Sequence, residues 1–255
     1  MTERIIENFD RHASTIPDQT GSMQVFQSPA LTYVDSGLPC DTFNVLHVKN
    51  GANLSEAELA HALNYYRDRH LPFCVWISEE NLTHDLLSHF KNEGLTQQNR
   101  EPGMALDLSA YSIANNALHA HAAIITTPEQ LSDYAHVIAA NWTPLDKNVM
   151  AYFKLAETSL LDKHNNILLA AFYQDDKPVS VLEIFPTDGQ TAGLYGLATL
   201  ADYRGKGIGS ALLTFALNKV KTLGFRHIAL QASEDGLGIY KRLGFKIYTT
   251  YHEFA

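Results

Sequence analysis

The chain has 255 residues, a formal net charge of −9 and 45% hydrophobic residues. Its length suits one large domain or two small ones, and its apolar content suits a packed core. The lack of any apolar run near ~18 residues and of an apolar N-terminal stretch predicts a cytoplasmic protein without a membrane partner, and the acidic balance disfavours nucleic acid.

The first half of the chain predicts a small α/β unit. Helical patterns occur over residues 2–13, 55–70 and 81–92, and the second begins with the capping-box sequence Ser55-Glu56-Ala57-Glu58. Strand patterns occur over residues 23–26, 42–48, 73–77 and 104–108, with a polar, proline-containing loop between the first two.

The second half follows a polar, alanine-rich linker at residues 111–121 and predicts a more regular series. A strand at 123–126 precedes a helix that starts with a capping signal at Thr127 and extends to residue 142, and a second helix at 148–161. Strands follow at 167–173, 178–185 and 194–199, then a helix at 210–223, a strand at 227–232, a helix at 237–243 and a strand at 246–253. This last strand could pair within the chain or across a dimer, so both a monomer and a homodimer stay open.

The segment Arg204-Gly205-Lys206-Gly207-Ile208-Gly209 lies between a predicted strand and a predicted helix. Unpaired N–H groups at a helix start attract an anion, and the helix dipole adds to this attraction. Glycines allow close approach of the guest, while Arg204 and Lys206 add positive charge. The spacing fits neither a P-loop nor a dinucleotide fingerprint. The expected guest is therefore the pyrophosphate of another nucleotide-type cofactor.

The pattern Arg-x-x-Gly-x-Gly, from Arg204 to Gly209, resembles the acetyl-CoA signature of the GNAT superfamily of N-acetyltransferases. The lead-in at residues 197–204 and the segment Ile-Tyr-Lys-Arg-Leu-Gly-Phe at residues 239–245 also resemble that family, although Ala201 stands where proline is usual. The resemblance covers residues 122–255 and implies the GNAT fold, an α/β (α+β) domain with a mixed, largely antiparallel central sheet flanked by helices. We predict a degenerate GNAT-like domain over residues 1–115, and hence a tandem arrangement.

The resemblance implies direct, acetyl-CoA-dependent transfer of an acetyl group to a primary amine of a small molecule or peptide. The pyrophosphate would lie on the backbone of the glycine segment, and the pantetheine arm would pair with the strand before it. The implied acetyl-CoA-binding residues are Leu197, Ala198, Thr199, Arg204, Gly205, Lys206, Gly207, Ile208, Gly209 and Ser210. The identity of the acceptor stays open.

Two residues are predicted to move protons. Tyr240 occupies the family's tyrosine position, which implies a general acid that protonates the departing thiolate. Residues 191–196 contain no acid or histidine, so Glu183, partly buried on the adjacent predicted strand, is the candidate base, with a water chain as its competitor. Tyr195 is expected to line the acceptor pocket.

Alternative functions remain at this stage. A non-catalytic acyl-CoA-binding module would keep the glycine segment and could dispense with Tyr240. An aminoacyl transferase that uses charged tRNA would need a basic groove, whereas residues 1–115 hold 7 basic and 15 acidic side chains. The twelve histidines show no zinc-type spacing, so no metal is expected, and Cys40 and Cys74 are expected to be reduced.

Overall fold

The structure is a computed structural model that describes residues 1–255. Its α-helices are α1 Thr2–Gln19, α2 Glu56–Asp68, α3 His84–Asn92, α4 Pro128–Ala139, α5 Lys147–Leu155, α6 Glu157–Leu161, α7 Ile208–Thr222 and α8 Glu234–Arg242. Its strands are β1 Gln24–Gln27, β2 Leu31–Asp35, β3 Val45–Val48, β4 Cys74–Ser78, β5 Gln97–Asp107, β6 Ala122–Ile124, β7 Leu168–Gln174, β8 Lys177–Pro186, β9 Thr191–Thr199, β10 His227–Gln231 and β11 Lys246–Phe254. None of the helices combines the length and apolarity needed to cross a bilayer.

The chain folds into two compact units. Unit 1 comprises residues 1–104, 231–237 and 247–255, and unit 2 comprises residues 105–230 and 238–246. The last strand, β11, pairs antiparallel with β4 of unit 1, so it finds its partner within the chain. The domain boundaries predicted from the sequence, 1–115 and 122–255, assign β11 to the second domain, whereas it belongs to unit 1. These domain boundaries stay a prediction.

Unit 1 is built on strands in the order β1-β2-β3-β4-β11-β5. The β1–β2 and β2–β3 pairs are antiparallel, whereas β3 and β4 are parallel and are connected through α2. One face of these strands packs on α2 and α3, where Leu46, Val48, Leu63, Val75 and Phe90 are fully buried. Side chains alternate across a strand, so this core uses every second residue.

The opposite face of unit 1 packs on α1. His47 lies between Leu46 and Val48 on β3 and therefore points away from their core. Its ring lies 4.7 Å from the Phe9 ring of α1, and Phe9 also contacts Tyr251 of β11 at 5.0 Å. This face carries polar side chains as well, since His47 Nδ1 lies 2.9 Å from Asp10 Oδ1.

Unit 2 contains strands in the order β10-β9-β8-β7-β6. The pairs β6–β7, β7–β8 and β8–β9 are antiparallel, and β9 and β10 are parallel with α7 as their connection. Helix α7 packs on β7, β8 and β9, and α4 packs on β8 and β9. Each unit thus has a mixed, largely antiparallel set of strands flanked by helices, which confirms the predicted fold class.

Several predicted elements differ from the structure. The proline-containing loop at residues 27–41 contains an unpredicted strand, β2, of which four of five residues are buried, so it lacks the alternation that marks a strand with one exposed face. The predicted helix at 148–161 is two helices, α5 and α6, that meet at Ala156. Helix α4 ends at Ala139 rather than residue 142. The predicted helix start at residue 81 is a short 3-10 turn, and α3 begins after its Thr83 cap.

Candidate active site

A β-bulge interrupts the pairing of β8 with β9. Val181 pairs with Ala198 and Glu183 pairs with Tyr195, so two residues of β9, Gly196 and Leu197, lie opposite the single residue between them on β8. Gly196 adopts a φ of +57°. A Cβ atom at Gly196 would also come within 3.3 Å of Tyr134 Oη, so glycine is favoured here by both backbone and space.

Beyond this bulge, β9 has a free edge. Its pairing with β10 covers Thr191–Gly193, whereas its pairing with β8 continues to Thr199. Leu197, Ala198 and Thr199 are partly exposed. The backbone of these three residues can therefore pair with an extended guest, as an added strand would.

The glycine segment follows β9 and leads into α7. Gly205 and Gly207 have φ values of +73° and +78°, a left-handed conformation that glycine adopts without penalty. Gly207 is the N-cap of α7, and no side chain caps the helix. The first helical bond runs from the Ala211 N–H to the Gly207 carbonyl, which leaves the N–H groups at the helix start without helical acceptors.

Two contacts hold this segment against its surroundings. The Arg204 guanidinium donates from Nε to the Thr199 carbonyl at 2.9 Å and from Nη2 to Asn141 Oδ1 at 2.7 Å. A Cβ atom at Gly209 would lie 3.2 Å from Thr199 Oγ1. Arg204 therefore ties the segment to the end of β9 and to Asn141, a partner that the sequence did not reveal.

Lys206 and Ser210 are two further polar side chains at the start of α7. The Lys206 ammonium lies 5.1 Å from the centre of the Tyr203 ring, within the range of a cation–π contact. Ser210 is partly exposed in the first turn of α7, and the neighbouring Ile208 is buried and anchors that turn. The helix start can thus present backbone donors and the exposed Lys206 ammonium to an anion.

Glu183 is a nearly buried carboxylate, 8% exposed, in the middle of β8. Its charge acts on the phenols of Tyr134 in α4 and Tyr152 in α5. Burial raises the pKa of both phenols, and the Glu183 carboxylate raises them further. Glu183, Tyr134, Tyr152 and the cross-strand neighbour Tyr195 therefore form a cluster around the bulge, in which both phenols stay protonated.

The sequence identified only part of this cluster. The sequence analysis assigned no role to Tyr134 or Tyr152, because spacing within a helix does not reveal what the helix packs against. The sequence signal for this cluster was Glu183, the single charged residue in the predicted strand 178–185. A buried carboxylate requires polar neighbours, and the charge of Glu183 acts on both phenols.

Tyr240 lies in α8 and is 6% exposed. Its ring packs on Phe245 with ring centres 5.6 Å apart, and its carbonyl accepts the Phe245 N–H at 3.1 Å. These contacts join the two ends of the segment 239–245 that the sequence analysis singled out. Its role as a general acid stays a prediction.

Residues 133–245 match the model described as the acetyltransferase (GNAT) family, so this segment is a GNAT acetyltransferase domain and the predicted family is confirmed. Membership implies acyl-CoA-dependent acetyl transfer. No curated protein matches the chain.

Solved structures resemble the chain over almost its whole length. A GCN5-related N-acetyltransferase from Kribbella flavida is 19% identical, with a TM-score of 0.68 over 96% of this chain and 94% of that one. One from Sphaerobacter thermophilus is 16% identical, with a TM-score of 0.63 over 99% and 90%. A tandem GNAT protein from the clavulanic acid biosynthesis pathway is 13% identical, with a TM-score of 0.60 over 92% and 83%. At these identities the likeness establishes the fold, including its tandem form.

Proposed function

We propose that this protein transfers the acetyl group of acetyl-CoA directly to a primary amine of a small molecule or peptide. The observation that carries the proposal is the combination of a free edge on β9 with an uncapped, glycine-rich start of α7. The first can hold an extended arm, and the second can hold a diphosphate. Both follow from consecutive residues of one strand–loop–helix segment.

The residues at this segment fit acetyl-CoA by their own chemistry. Backbone N–H groups from Gly205 to Ser210 would bind the pyrophosphate, and the Lys206 ammonium would add charge. The backbone of Leu197, Ala198 and Thr199 would bind the pantetheine arm. Acetyl-CoA supplies the acetyl group as an activated thioester. A backbone N–H of β9 would stabilise the negative charge that develops on the carbonyl oxygen.

Proton movement would fall to Glu183 and Tyr240. The Glu183 carboxylate would accept a proton from the acceptor amine, and its charge acts on the neutral phenols of Tyr134 and Tyr152. The Tyr240 hydroxyl would donate a proton to the sulfur that leaves. Tyr195, which pairs with Glu183 across the strands, would form a wall of the acceptor pocket.

A screen of primary amines tests the proposal. The full-length protein is mixed with acetyl-CoA and each amine, and the release of free thiol is followed, while calorimetry measures binding of coenzyme A. We expect release with at least one acceptor and one binding site for coenzyme A. Binding without release for every amine would favour a non-catalytic acyl-CoA-binding module, and absence of binding would overturn both functions.

A further inference from the structure

Two side chains of α4 in unit 2, Tyr134 and Ile138, lie directly over the bulge of β9; we call them the α4 wall. A Cβ atom placed on Gly196 would lie 3.3 Å from Tyr134 Oη and 3.4 Å from Ile138 Cδ1. No other atom outside the neighbouring residues comes within 4 Å of that point. The gap between the backbone of Gly196 and the α4 wall is therefore about as deep as a single methyl group.

The two members of the α4 wall differ in how firmly they are held. Tyr134 is 1% exposed, and its ring packs on Phe153 with ring centres 5.2 Å apart, so its position is fixed by the core. Ile138 is only partly buried, and Gly196 is exposed. A small group can therefore reach the gap from solvent, and it would meet one rigid phenol and one aliphatic side chain there.

Helix α4 accompanies β9 from the bulge to the glycine segment. Tyr134 and Ile138 are four residues apart and share one helix face. Just past the end of this helix, Asn141 Oδ1 accepts a hydrogen bond from Arg204 Nη2 at 2.7 Å. Arg204 Nε in turn donates to the Thr199 carbonyl at 2.9 Å. The same side of α4 therefore contacts both ends of the stretch of β9 that the cofactor is proposed to follow.

The order of the proposed binding groups along the chain fixes the direction of the cofactor. The diphosphate is assigned to the glycine segment, which follows Thr199, and the pantetheine arm is assigned to the free edge at Leu197, Ala198 and Thr199. A strand rises about 3.3 Å per residue, so the distance from Thr199 back to Gly196 is about 10 Å. The thioester at the far end of the arm would therefore lie beside the bulge, with its acyl group at the gap below the α4 wall.

We propose that the α4 wall restricts the transferred acyl group to acetyl and that Ile138 is the residue that sets this limit. The inference rests on the proposed function, because it requires an acyl-CoA on β9. The methyl of an acetyl group fits a gap of this depth, whereas the two further methylenes of a butyryl group would press on Ile138 Cδ1. Tyr134 is held in the core, so truncation of Ile138 is the change that would enlarge the gap.

Calorimetric titration of the full-length protein with coenzyme A, acetyl-CoA and butyryl-CoA tests this inference. We expect the wild type to bind butyryl-CoA about tenfold more weakly than acetyl-CoA, since excess methylenes in a shaped pocket have an effect of this order. In Ile138→Ala the aliphatic part of the α4 wall is lost, so butyryl-CoA should bind about as tightly as acetyl-CoA. The affinity for coenzyme A, which carries no acyl group, should be the same in the variant and the wild type.

The matched control is Val137→Ala, which truncates a 1% exposed aliphatic side chain of the same helix that does not lie over Gly196. It should lower the unfolding temperature and keep the wild-type preference for acetyl-CoA.

The outcomes separate this inference from the proposed function. If the wild type binds coenzyme A but does not distinguish the two thioesters, the inference is overturned and the cofactor site stands. The same holds if Ile138→Ala keeps the preference for acetyl-CoA, or if Val137→Ala loses it equally. Absence of coenzyme A binding to the wild type would overturn the proposed function and this inference with it.

Discussion

Units 1 and 2 share the same strand pattern, but the helices that connect their parallel strands begin differently. In each unit, two antiparallel pairs lead to a parallel pair, β1-β2-β3-β4 in unit 1 and β7-β8-β9-β10 in unit 2. A helix connects the parallel strands in both, α2 in the first and α7 in the second. Helix α2 begins with a serine cap and two glutamates, whereas α7 begins with glycine and no side-chain cap. The same topology therefore offers an anion an uncapped helix start in unit 2 and a capped, acidic helix start in unit 1.

The largest expected effect concerns the chemistry assigned to unit 2. Tyr240→Phe removes the proposed acid while keeping the ring that packs on Phe245. We expect turnover to fall about 100-fold, as is typical for loss of general acid catalysis, with little change in acetyl-CoA affinity. Steady-state kinetics and calorimetry measure the two quantities. The matched control is Tyr65→Phe in α2 of unit 1, which removes a phenol hydroxyl that donates to Asp35 and should leave turnover unchanged. Normal turnover in Tyr240→Phe would remove Tyr240 from the mechanism.

The next prediction compares Gly207, in the proposed cofactor site, with Gly37, a glycine of unit 1 outside that site. Gly207 and Gly37 have φ values of +78° and +71°, and a Cβ atom would find space at both. Alanine at either position should lower the free energy of unfolding by about 1 kcal/mol. Only Gly207→Ala should weaken binding of coenzyme A, by about tenfold, because its methyl group would fill space at the α7 start that the pyrophosphate is proposed to occupy. Equal affinities in the two variants would contradict the assigned cofactor site.

A smaller effect tests the cap of α2. Ser55→Ala removes the hydrogen bond to the Glu58 N–H and should lower the free energy of unfolding by about 1 kcal/mol. It should leave the affinity for coenzyme A unchanged, because this helix start has no part in the proposed site. Denaturant unfolding and calorimetry check both expectations. A loss of coenzyme A affinity would show that the helix start of unit 1 contributes to the binding of coenzyme A.

The smallest effect is a pH dependence of stability that arises in unit 1. Burial lowers the pKa of His47 below 6.5 despite the hydrogen bond to Asp10. The unfolded chain therefore binds this proton more readily, so stability is full above about pH 6.5 and declines as the pH falls from there toward the folded-state pKa. His47→Gln should flatten this decline in urea unfolding measured across that range. An unchanged slope in the variant would assign the effect to other groups.

Asp10 adds a second decline at lower pH. Burial alone would raise the pKa of this carboxyl, but the His47 hydrogen bond and the charge of Lys49 hold it below 3.8. Its contribution to stability is therefore present above about pH 3.8 and is lost as the pH falls through the folded-state pKa. The variant His47→Gln should alter this lower decline as well, because it removes the imidazole whose hydrogen bond holds the pKa of Asp10 down.

The fold was predictable where local patterns are strong. The apolar stripe of α7, the cap at Thr127 and the glycine segment at residues 204–209 each depend on neighbours within a few positions along the chain. Strand β2 was not predicted, because burial on both faces removes the alternation of apolar and polar residues. The helix break at Ala156 was not predicted, because the same apolar face continues across α5 and α6. Patterns of periodicity indicate which face is buried but not where a helix breaks.

The sequence by itself determined the family, the fold class and the position of the glycine segment that is proposed to hold a diphosphate, because these depend on residue types at fixed spacing. Only the tertiary structure decided that β9 leaves β10 after Gly193, that Tyr134 and Tyr152 lie near Glu183, and that β11 pairs with β4. It also placed Asp10 of α1 beside His47 of β3. Such arrangements depend on pairing between segments distant in the chain, and many partners satisfy the same pattern of apolar and polar residues.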